Sequence, residues 1–412
     1  MASVDVAIVG GGAAGIAAAR RLVERQRSVL LIDALPRLGG RAHSVDIAGF
    51  PTDLGCGWLH SAGRNPLAAL AQAQGEVLDR SEGAWRRQLA NIHFPAADQE
   101  QAWAAYEDLK ARLRSNPPPS DRAGDGVARD DRWRPYLDAL SGFVNGAELD
   151  QLSAADFLAY EDAATDDNWR LPGGYGAFIA GLGQALPTAL ETPVRSISHH
   201  KDIALETDHG TIRARAAIVT VSTTVLGRGD IRFDPALDDH LQAATQLPLG
   251  LANKVFLSVA EPQSVPAESH LLGRADRAAT GSYYMRPFGR PFIEAFLGGA
   301  WARELEAAGD AAATAFAIDE LSDLLGADFA RGLSPLAVTR WGHEPTIGGS
   351  YSHACPGHAE ARAVLAAPPS ERLCFAGEAC SEHDFSTAHG AWRSGLAAAD
   401  RIEQFLSQAR DG

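Results

Sequence analysis

The sequence predicts an α/β protein of two domains, one of them a Rossmann-type domain whose first strands are buried and parallel. Three observations carry this. The chain has 412 residues, and a single apolar core stops growing at roughly 250–300 residues. Hydrophobic residues make up 46% and charged residues 22%, the profile of a folded globular chain rather than a disordered one. At the N-terminus an apolar run, a glycine cluster, an alanine-rich stretch and a second apolar run follow one another before Asp33.

Val4–Val9 reads as a buried parallel strand and Val29–Ile32 as a second one. Between them, Gly10-Gly11-Gly12-Ala13-Ala14-Gly15 supplies G-x-G-x-x-G, followed by a helix to about Arg25. Gly10 permits the tight turn, Gly12 lets a pyrophosphate approach the backbone, and Gly15 allows close helix–strand packing. The helix N-terminus, where Ala14 sits, offers free N–H groups and a positive dipole end to phosphates. Asp33, closing the second strand, has the spacing of a ribose-binding carboxylate. Strand, glycines, helix, strand and acid in this order predict a Rossmann-type dinucleotide site.

The charge balance narrows the partners. Lys+Arg total 37 against 52 Asp+Glu, a formal charge of −15. That argues against nucleic acid, which calls for a basic stripe, and is compatible with cationic ligands. No basic n-region precedes the first strand, and no stretch approaches the roughly 20 apolar residues of a membrane span. The expectation is a cytoplasmic chain that contacts no membrane. Cys56, Cys355, Cys374 and Cys380 lie far apart without a CxxC spacing, so no metal site is expected and the thiols are expected to be reduced.

Downstream, Leu38-Gly39-Gly40-Arg41 resembles the second glycine motif of the flavin amine oxidase superfamily. There Gly40 and Arg41 would approach the pyrophosphate of FAD, a role suited to the forked guanidinium. Gly49–Pro66 resembles the flavin-edge segment of the polyamine oxidase branch through Asp53, Gly55, Trp58, His60, Asn65 and Pro66. The resemblance implies flavin contacts from Gly57 and Trp58 and places His60 beside the flavin as a neutral imidazole. Leu171–Gly176 resembles a Gly-Gly element on the substrate side, which makes Tyr175 a substrate candidate. Val194 matches the residue that holds the adenine through its backbone. Thr220-Val221-Ser222 departs from the family's Thr-Val-Pro.

Three later segments carry the implied chemistry. Asn253-Lys254-Val255 matches the family segment whose lysine holds a water against flavin N5 and assists reoxidation. Independently of the resemblance, a lysine in an apolar strand needs a partner or a function, because burying a lone ammonium is costly. Arg340-Trp341…Pro345 and Gly349-Ser350-Tyr351 resemble the Arg-Trp-x-x-x-Pro and Gly-Ser-Tyr pair; Trp341 would contact the cofactor and Tyr351 would form an aromatic wall over it. Ser350 stands where monoamine oxidases carry the flavin-linking cysteine, so FAD is expected to be non-covalent. Leu373–Cys380 looks like the final strand and Gly-Glu-x-Thr turn, with Gly377 and Glu378 as cofactor contacts and Cys380 replacing Thr. The closing helix would bring Ala388 to the flavin. Thr387 stands where monoamine oxidases have a second cage tyrosine, so a one-sided cage with Thr387 on the substrate side is expected.

The resemblance thus implies an FAD domain interleaved with an α+β substrate domain, a mixed sheet flanked by helices. The expected pieces are 1–66, 171–247 and 369–412 for FAD, with 67–170 (helical, with a flexible loop near 116–126) and 248–368 for substrate. The implied activity is FAD-dependent amine oxidation: hydride from the amine α-carbon to flavin N5, an imine that hydrolyses, and O2 reduced to H2O2. Lys254, His60 and Tyr351 are the candidate catalytic residues. Two alternatives stand beside it: an L-amino-acid oxidase, with Arg286 and Arg290 as candidate carboxylate donors, and a flavin-bound interaction module with weak turnover. A homodimer is carried as the candidate assembly.

Overall fold

The computed structural model describes residues 3–86, 88–89 and 93–408. Its larger sheet draws on three separated stretches of chain. The strand order is Thr188–Ala189, Val29–Ile32, Ser3–Val9, Gly210–Val219, Ile203–Thr207, Val194–Ser198 and Arg232–Asp234. Leu373–Phe375 also joins it. The ten-residue strand Gly210–Val219 makes this possible: its first half pairs antiparallel with Ile203–Thr207 and its last three residues pair parallel with Leu373–Phe375. Along its other edge it runs parallel to Ser3–Val9. The central strands are apolar where both faces are buried: Val6, Ala7 and Ile8 pair with Ala216, Ala217 and Ile218, and all six are fully buried.

The two ends of the chain meet on this sheet. The helix Ala13–Glu24 packs along the closing helix Ala388–Gln408. Gly395 permits the approach, since a Cβ there would lie 2.1 Å from the Ala14 carbonyl oxygen. Arg21–Asp400 at 2.8 Å and Arg27–Glu403 at 2.6 Å pin the same pair of segments.

The second sheet has five antiparallel strands in the order Ser269–Leu272, Gly281–Met285, Phe292–Gly298, Ala252–Val259, Leu333–Val338. Its period-2 alternation separates two faces. Val255, Leu257, Leu271, Tyr283, Met285, Ile293 and Ala295 join one apolar cluster with residues of the helices Gly299–Ala308 and Asp310–Leu325. Lys254, Ser282, Tyr284, Glu294 and Phe296 face a large cavity instead.

Four helices, Pro66–Ala73, Ala96–Ser115, Arg134–Asn145 and Ala154–Ala163, fill the span expected to be helical. Residues 87 and 90–92 of that span lie outside the described residues. The loop near 116–126, expected to be a flexible excursion, is docked. Ala123 is fully buried, and the Asp121 carboxylate accepts from Ser153 Oγ at 2.5 Å, Ala155 N at 3.0 Å and Gly357 N at 2.8 Å. One carboxylate satisfying three donors from distant segments fixes what composition alone suggests is loose. No described helix is long and apolar enough to cross a membrane.

Candidate active site

A cavity of about 1450 Å³ runs from the glycine turn of the first sheet to the inner face of the second. This exceeds the roughly 300–1,000 Å³ of a site for one small ligand. At one end lie Gly10, Gly12, Ala14, Asp33 and Val194. The helix behind them begins at Gly12 with no side-chain cap, so its first amides are left for a ligand. A Cβ on Gly12 would meet only the Gly39 oxygen at 3.9 Å, leaving open approach to that backbone. Asp33 accepts from Gly11 N at 2.6 Å and Leu35 N at 2.7 Å. Burial raises its pKa, against those two amide hydrogen bonds and the nearby Arg37. Uncapped amides with a carboxylate beside them suit a nucleotide's pyrophosphate and ribose.

Gly15 stands apart from this wall. Its Cβ would lie 1.9 Å from the Gly10 oxygen, so the residue lets helix and strand touch and does not line the cavity. Tyr175 does not line it either. It is 1% exposed, its ring belongs to the core under the first sheet, and its backbone N–H donates to Asp53 Oδ2 at 3.0 Å. A substrate contact from Tyr175 is therefore at odds with its position: the Gly-Gly turn directs the side chain into the core as the first residue of the helix Tyr175–Gly183.

Gly40, Arg41, Gly57, Trp58, Trp341, Gly377, Glu378 and Ala388 line the same cavity. Arg41 Nη1 donates to Glu378 Oε1 and to the Ser350 carbonyl, both at 2.8 Å. Glu378 also accepts from Ser352 Oγ at 2.6 Å and Ser386 N at 2.9 Å. Burial opposes its ionisation, but the Arg41 and Arg362 guanidinia and Ser352 outweigh that and hold its pKa below the ordinary glutamate value. Arg41 is thus aimed by a buried carboxylate. Trp341 Nε1 donates to the Leu54 carbonyl at 3.2 Å. Ser350, 9% exposed, ties to Ala252 through its hydroxyl, which accepts from Ala252 N at 2.9 Å and donates to the Ala252 carbonyl at 2.8 Å; Cys355 lies off the cavity wall.

Lys254, His60 and Tyr351 reach the same cavity from three different segments. Lys254 is 6% exposed; its Nζ contacts Glu294 Oε1 and donates to the Asp53 carbonyl, both at 2.8 Å. An ammonium has three donors, so one is left for the cavity. Glu294 sits diagonally across the strand pair, because Lys254 registers with Phe296 and Phe256 with Glu294. His60 Nδ1 lies 2.7 Å from Asn168 Oδ1, and Asn168 Nδ2 donates to the Asp166 carbonyl at 3.0 Å. That second bond orients the amide, so Nδ1 carries the hydrogen and Nε2 the lone pair. Burial lowers the His60 pKa, against the Asn168 bond, and His389 adds to the fall. Tyr351 donates to the Phe143 carbonyl at 2.5 Å, and burial raises the pKa of its phenol.

Thr387 also reaches the wall, but its hydroxyl is committed. It donates to the Asp384 carbonyl at 2.6 Å and accepts from Gly390 N at 3.0 Å, capping the closing helix. Of the two candidate carboxylate donors, Arg290 lines the cavity and Arg286 does not. Arg286 is spent on the carbonyls of Val265 and Gly289.

Several wall residues escape a reading of the sequence. The one signal for Glu294 in the sequence is its place as the lone carboxylate of the apolar strand Phe292–Gly298. Trp85 and Trp103 are 40% and 39% exposed and line the cavity; Trp85 packs edge-on against Trp58 at 4.4 Å. Arg170 lies over the Trp58, Tyr284 and Phe288 rings and pairs with Asp79 and Glu268.

Comparison with known proteins agrees with this arrangement. A sequence model for flavin containing amine oxidoreductases matches residues 73–403, and one for an NAD(P)-binding Rossmann-like domain matches residues 8–73. The chain is 28% identical over 454 residues to Polyamine oxidase 2 of Arabidopsis thaliana, covering 97% of this chain and 88% of that protein. It is 30% identical over 443 residues to Polyamine oxidase 5 of Oryza sativa subsp. japonica, covering 98% and 88%. Among solved structures, cyclohexylamine oxidase from Brevibacterium oxydans shares the fold with a TM-score of 0.79 at 20% identity, covering 98% of this chain and 99% of that one. The glycine cradle, the cavity that opens from it and the family match over most of the sequence agree: this chain belongs to the flavin-containing amine oxidoreductases, acting on amines with FAD as cofactor.

Proposed function

We propose that the protein is an FAD-dependent amine oxidase that oxidises the C–N bond of an amine to an imine, which water hydrolyses to a carbonyl compound. The observation that carries this is the meeting of Lys254, His60 and Tyr351 on the cavity that also holds the glycine cradle. Bound flavin would supply the two-electron acceptor, with O2 as the terminal oxidant giving H2O2.

The residues of this chain would divide the work as follows. Gly10, Gly12, Ala14, Asp33 and Val194 would hold the nucleotide end of FAD, Gly40 and Arg41 would approach its pyrophosphate, and Gly57, Trp58, Trp341, Gly377, Glu378 and Ala388 would contact the cofactor beyond it. Tyr351 and Trp58 offer electron-rich faces to an amine cation on its way in. His60 presents Nε2 as a neutral acceptor for a proton from the substrate ammonium. An apolar wall favours the resulting neutral amine, because desolvation disfavours the charged form. The third Lys254 donor would hold a water where oxygen reacts, with Glu294 and the Asp53 carbonyl fixing the ammonium. Non-covalent attachment follows from Ser350 and from Cys355 lying off the cavity. The division into interleaved FAD segments (1–66, 171–247, 369–412) and substrate segments (67–170, 248–368) belongs to the same reading, as do a cytoplasmic location and a homodimeric assembly.

The polyamine oxidases among the relatives make polyamines the first substrates to try. Purified protein should be yellow and should release its flavin on acid precipitation. Anaerobic titration with polyamines, arylalkylamines, cycloalkylamines and amino acids should bleach the flavin with at least one class. Yellow protein that no amine bleaches overturns the reading.

A further inference from the structure

Arg290 differs from the other buried arginines of the molecule. Arg27, Arg134, Arg170, Arg290 and Arg362 are each at most 8% exposed. Arg27 pairs with Glu403, Arg134 with Asp138 and Asp150, Arg170 with Asp79 and Glu268, and Arg362 with Asp156. Arg290, 7% exposed, has no carboxylate within ion-pair distance among the described residues. Its Nη2 donates to the Pro172 carbonyl at 2.7 Å, and its guanidinium lies 4.6 Å from the Phe288 ring centre and 5.7 Å from that of Phe50. A guanidinium carries five N–H donors, so most of its hydrogen-bonding capacity is unused.

The nearby carboxylates are spent elsewhere. Glu294 holds Lys254. Glu268 accepts from Arg170 at 2.6 Å and from Tyr284 Oη at 2.5 Å. Asp53 accepts from Ser44 Oγ and from the Tyr175 and Gly176 amides. Burial accordingly lowers the Arg290 pKa despite the field of Asp53 and Glu294. A charge left unpaired at this depth is costly unless a ligand completes it. Arg290 lies on the cavity wall together with Lys254 and Glu294, so the space it faces is the one proposed for the amine.

Resting on the amine-oxidase reading, we propose that Arg290 is a substrate-specificity residue whose free guanidinium edge binds a carboxylate carried by the amine substrate. The substrate class is then an amino acid, α or ω, rather than a fully cationic polyamine. Planar bidentate pairing is the geometry that guanidinium and carboxylate share, and the Phe50 and Phe288 faces hold the fork in place.

The test compares matched pairs on the holoenzyme. Each of an α-amino acid and an ω-amino acid is set against the amine of the same length without the carboxylate, by anaerobic flavin reduction. The carboxylate-bearing member should be preferred in kcat/KM by about tenfold or more, the size expected of a charge-assisted bidentate contact. Arg290→Met should collapse that ratio and Arg290→Lys should keep part of it, with the loss falling mainly on KM; whichever chain length shows the effect identifies α or ω. A second readout needs no turnover: a simple aliphatic carboxylate should perturb the flavin absorption spectrum, and its Kd should rise about tenfold or more in Arg290→Met. Equal rates for both members of each pair, or a ratio that Arg290→Met leaves untouched, overturn the proposal while the amine-oxidase reading stands. Loss of flavin in Arg290→Met, with a flavin-loaded Arg290→Lys whose rates and absorption spectrum do not respond to the carboxylate, assigns the residue to the cofactor and also overturns it. If no amine bleaches the flavin, the amine-oxidase reading falls first, and the carboxylate titration still decides whether Arg290 binds the anion.

Discussion

Lys254 and Glu294 form an ion pair of 2.8 Å across two neighbouring strands, on the face of the second sheet that looks into the cavity. The carboxylate and the Asp53 carbonyl together occupy two of the three ammonium donors, so the third has a defined direction. Lys254→Met should slow reoxidation of the reduced enzyme by O2 by about tenfold or more, the scale of one charged hydrogen bond. Glu294→Gln should act in the same direction by a smaller factor. Stopped-flow mixing of anaerobically reduced enzyme with oxygen measures both, and an unchanged rate in Lys254→Met removes the assignment.

Tyr351 is anchored through its hydroxyl to the Phe143 carbonyl, while its ring supplies the wall. The two contributions are separable. Tyr351→Phe keeps the ring and should leave KM for amines within about threefold; Tyr351→Ala should raise it by about five- to thirtyfold, the range of a desolvated cation–π contact. Steady-state kinetics on one good amine decides, and equal KM values for the two variants would show that the ring face contributes nothing.

The pair Asp156–Arg362 joins the helix Ala154–Ala163 to the segment just before the final strand. The guanidinium donates from Nε at 2.5 Å and from Nη2 at 2.9 Å, stacks 3.6 Å from the Phe385 ring centre, and touches Ser352 Oγ at 2.9 Å. Removing one partner leaves a buried charge, so Asp156→Asn or Arg362→Met should each cost about 3–5 kcal/mol of stability. Urea unfolding followed by tryptophan fluorescence reads this, and the double variant should recover part of the loss. Midpoints at the wild-type value in both single variants would contradict it.

Two deeply buried histidines set a pH dependence of stability. Burial lowers His270 to about 4, and burial aided by the Arg362 and Arg303 charges lowers His353 to about 4. Above pH 6.5 folded and unfolded chains are both neutral at these positions and nothing is lost. As pH falls through 6.5, the unfolded chain takes up protons that the folded one refuses until about pH 4. Stability should therefore drop by about 2 kcal/mol per histidine between pH 7.5 and 5. His270→Gln or His353→Gln should each flatten part of that slope, measured as unfolding free energy against pH. A slope that neither substitution changes would show that the acid loss arises elsewhere.

The local parts of this molecule are legible in its sequence. The strand–glycine–helix–strand unit at Val4–Ile32 is contiguous, and the requirement that backbone meet phosphate writes itself into Gly10 and Gly12. Lys254 was legible as a charge out of place in an apolar strand. Glu294, its partner, lies forty positions away, and only the strand register brings it diagonally opposite. Tyr175 and Thr387 show the converse. Their place beside recognised motifs suggests substrate contact, yet the packing turns Tyr175 into the core and the helix start takes the Thr387 hydroxyl.

By itself, then, the sequence determined the glycine cradle, the acid that ends the second strand, the lysine in an apolar strand and a dinucleotide as ligand, because each follows from what a short stretch of chain can do; the flavin came from the resemblance of its later motifs. The tertiary structure alone decided which charges meet: Lys254 with Glu294, Arg41 with Glu378, Arg362 with Asp156, and Arg290 with no carboxylate among the described residues. A buried charge is settled by what surrounds it, and around each of these lie residues from remote parts of the chain.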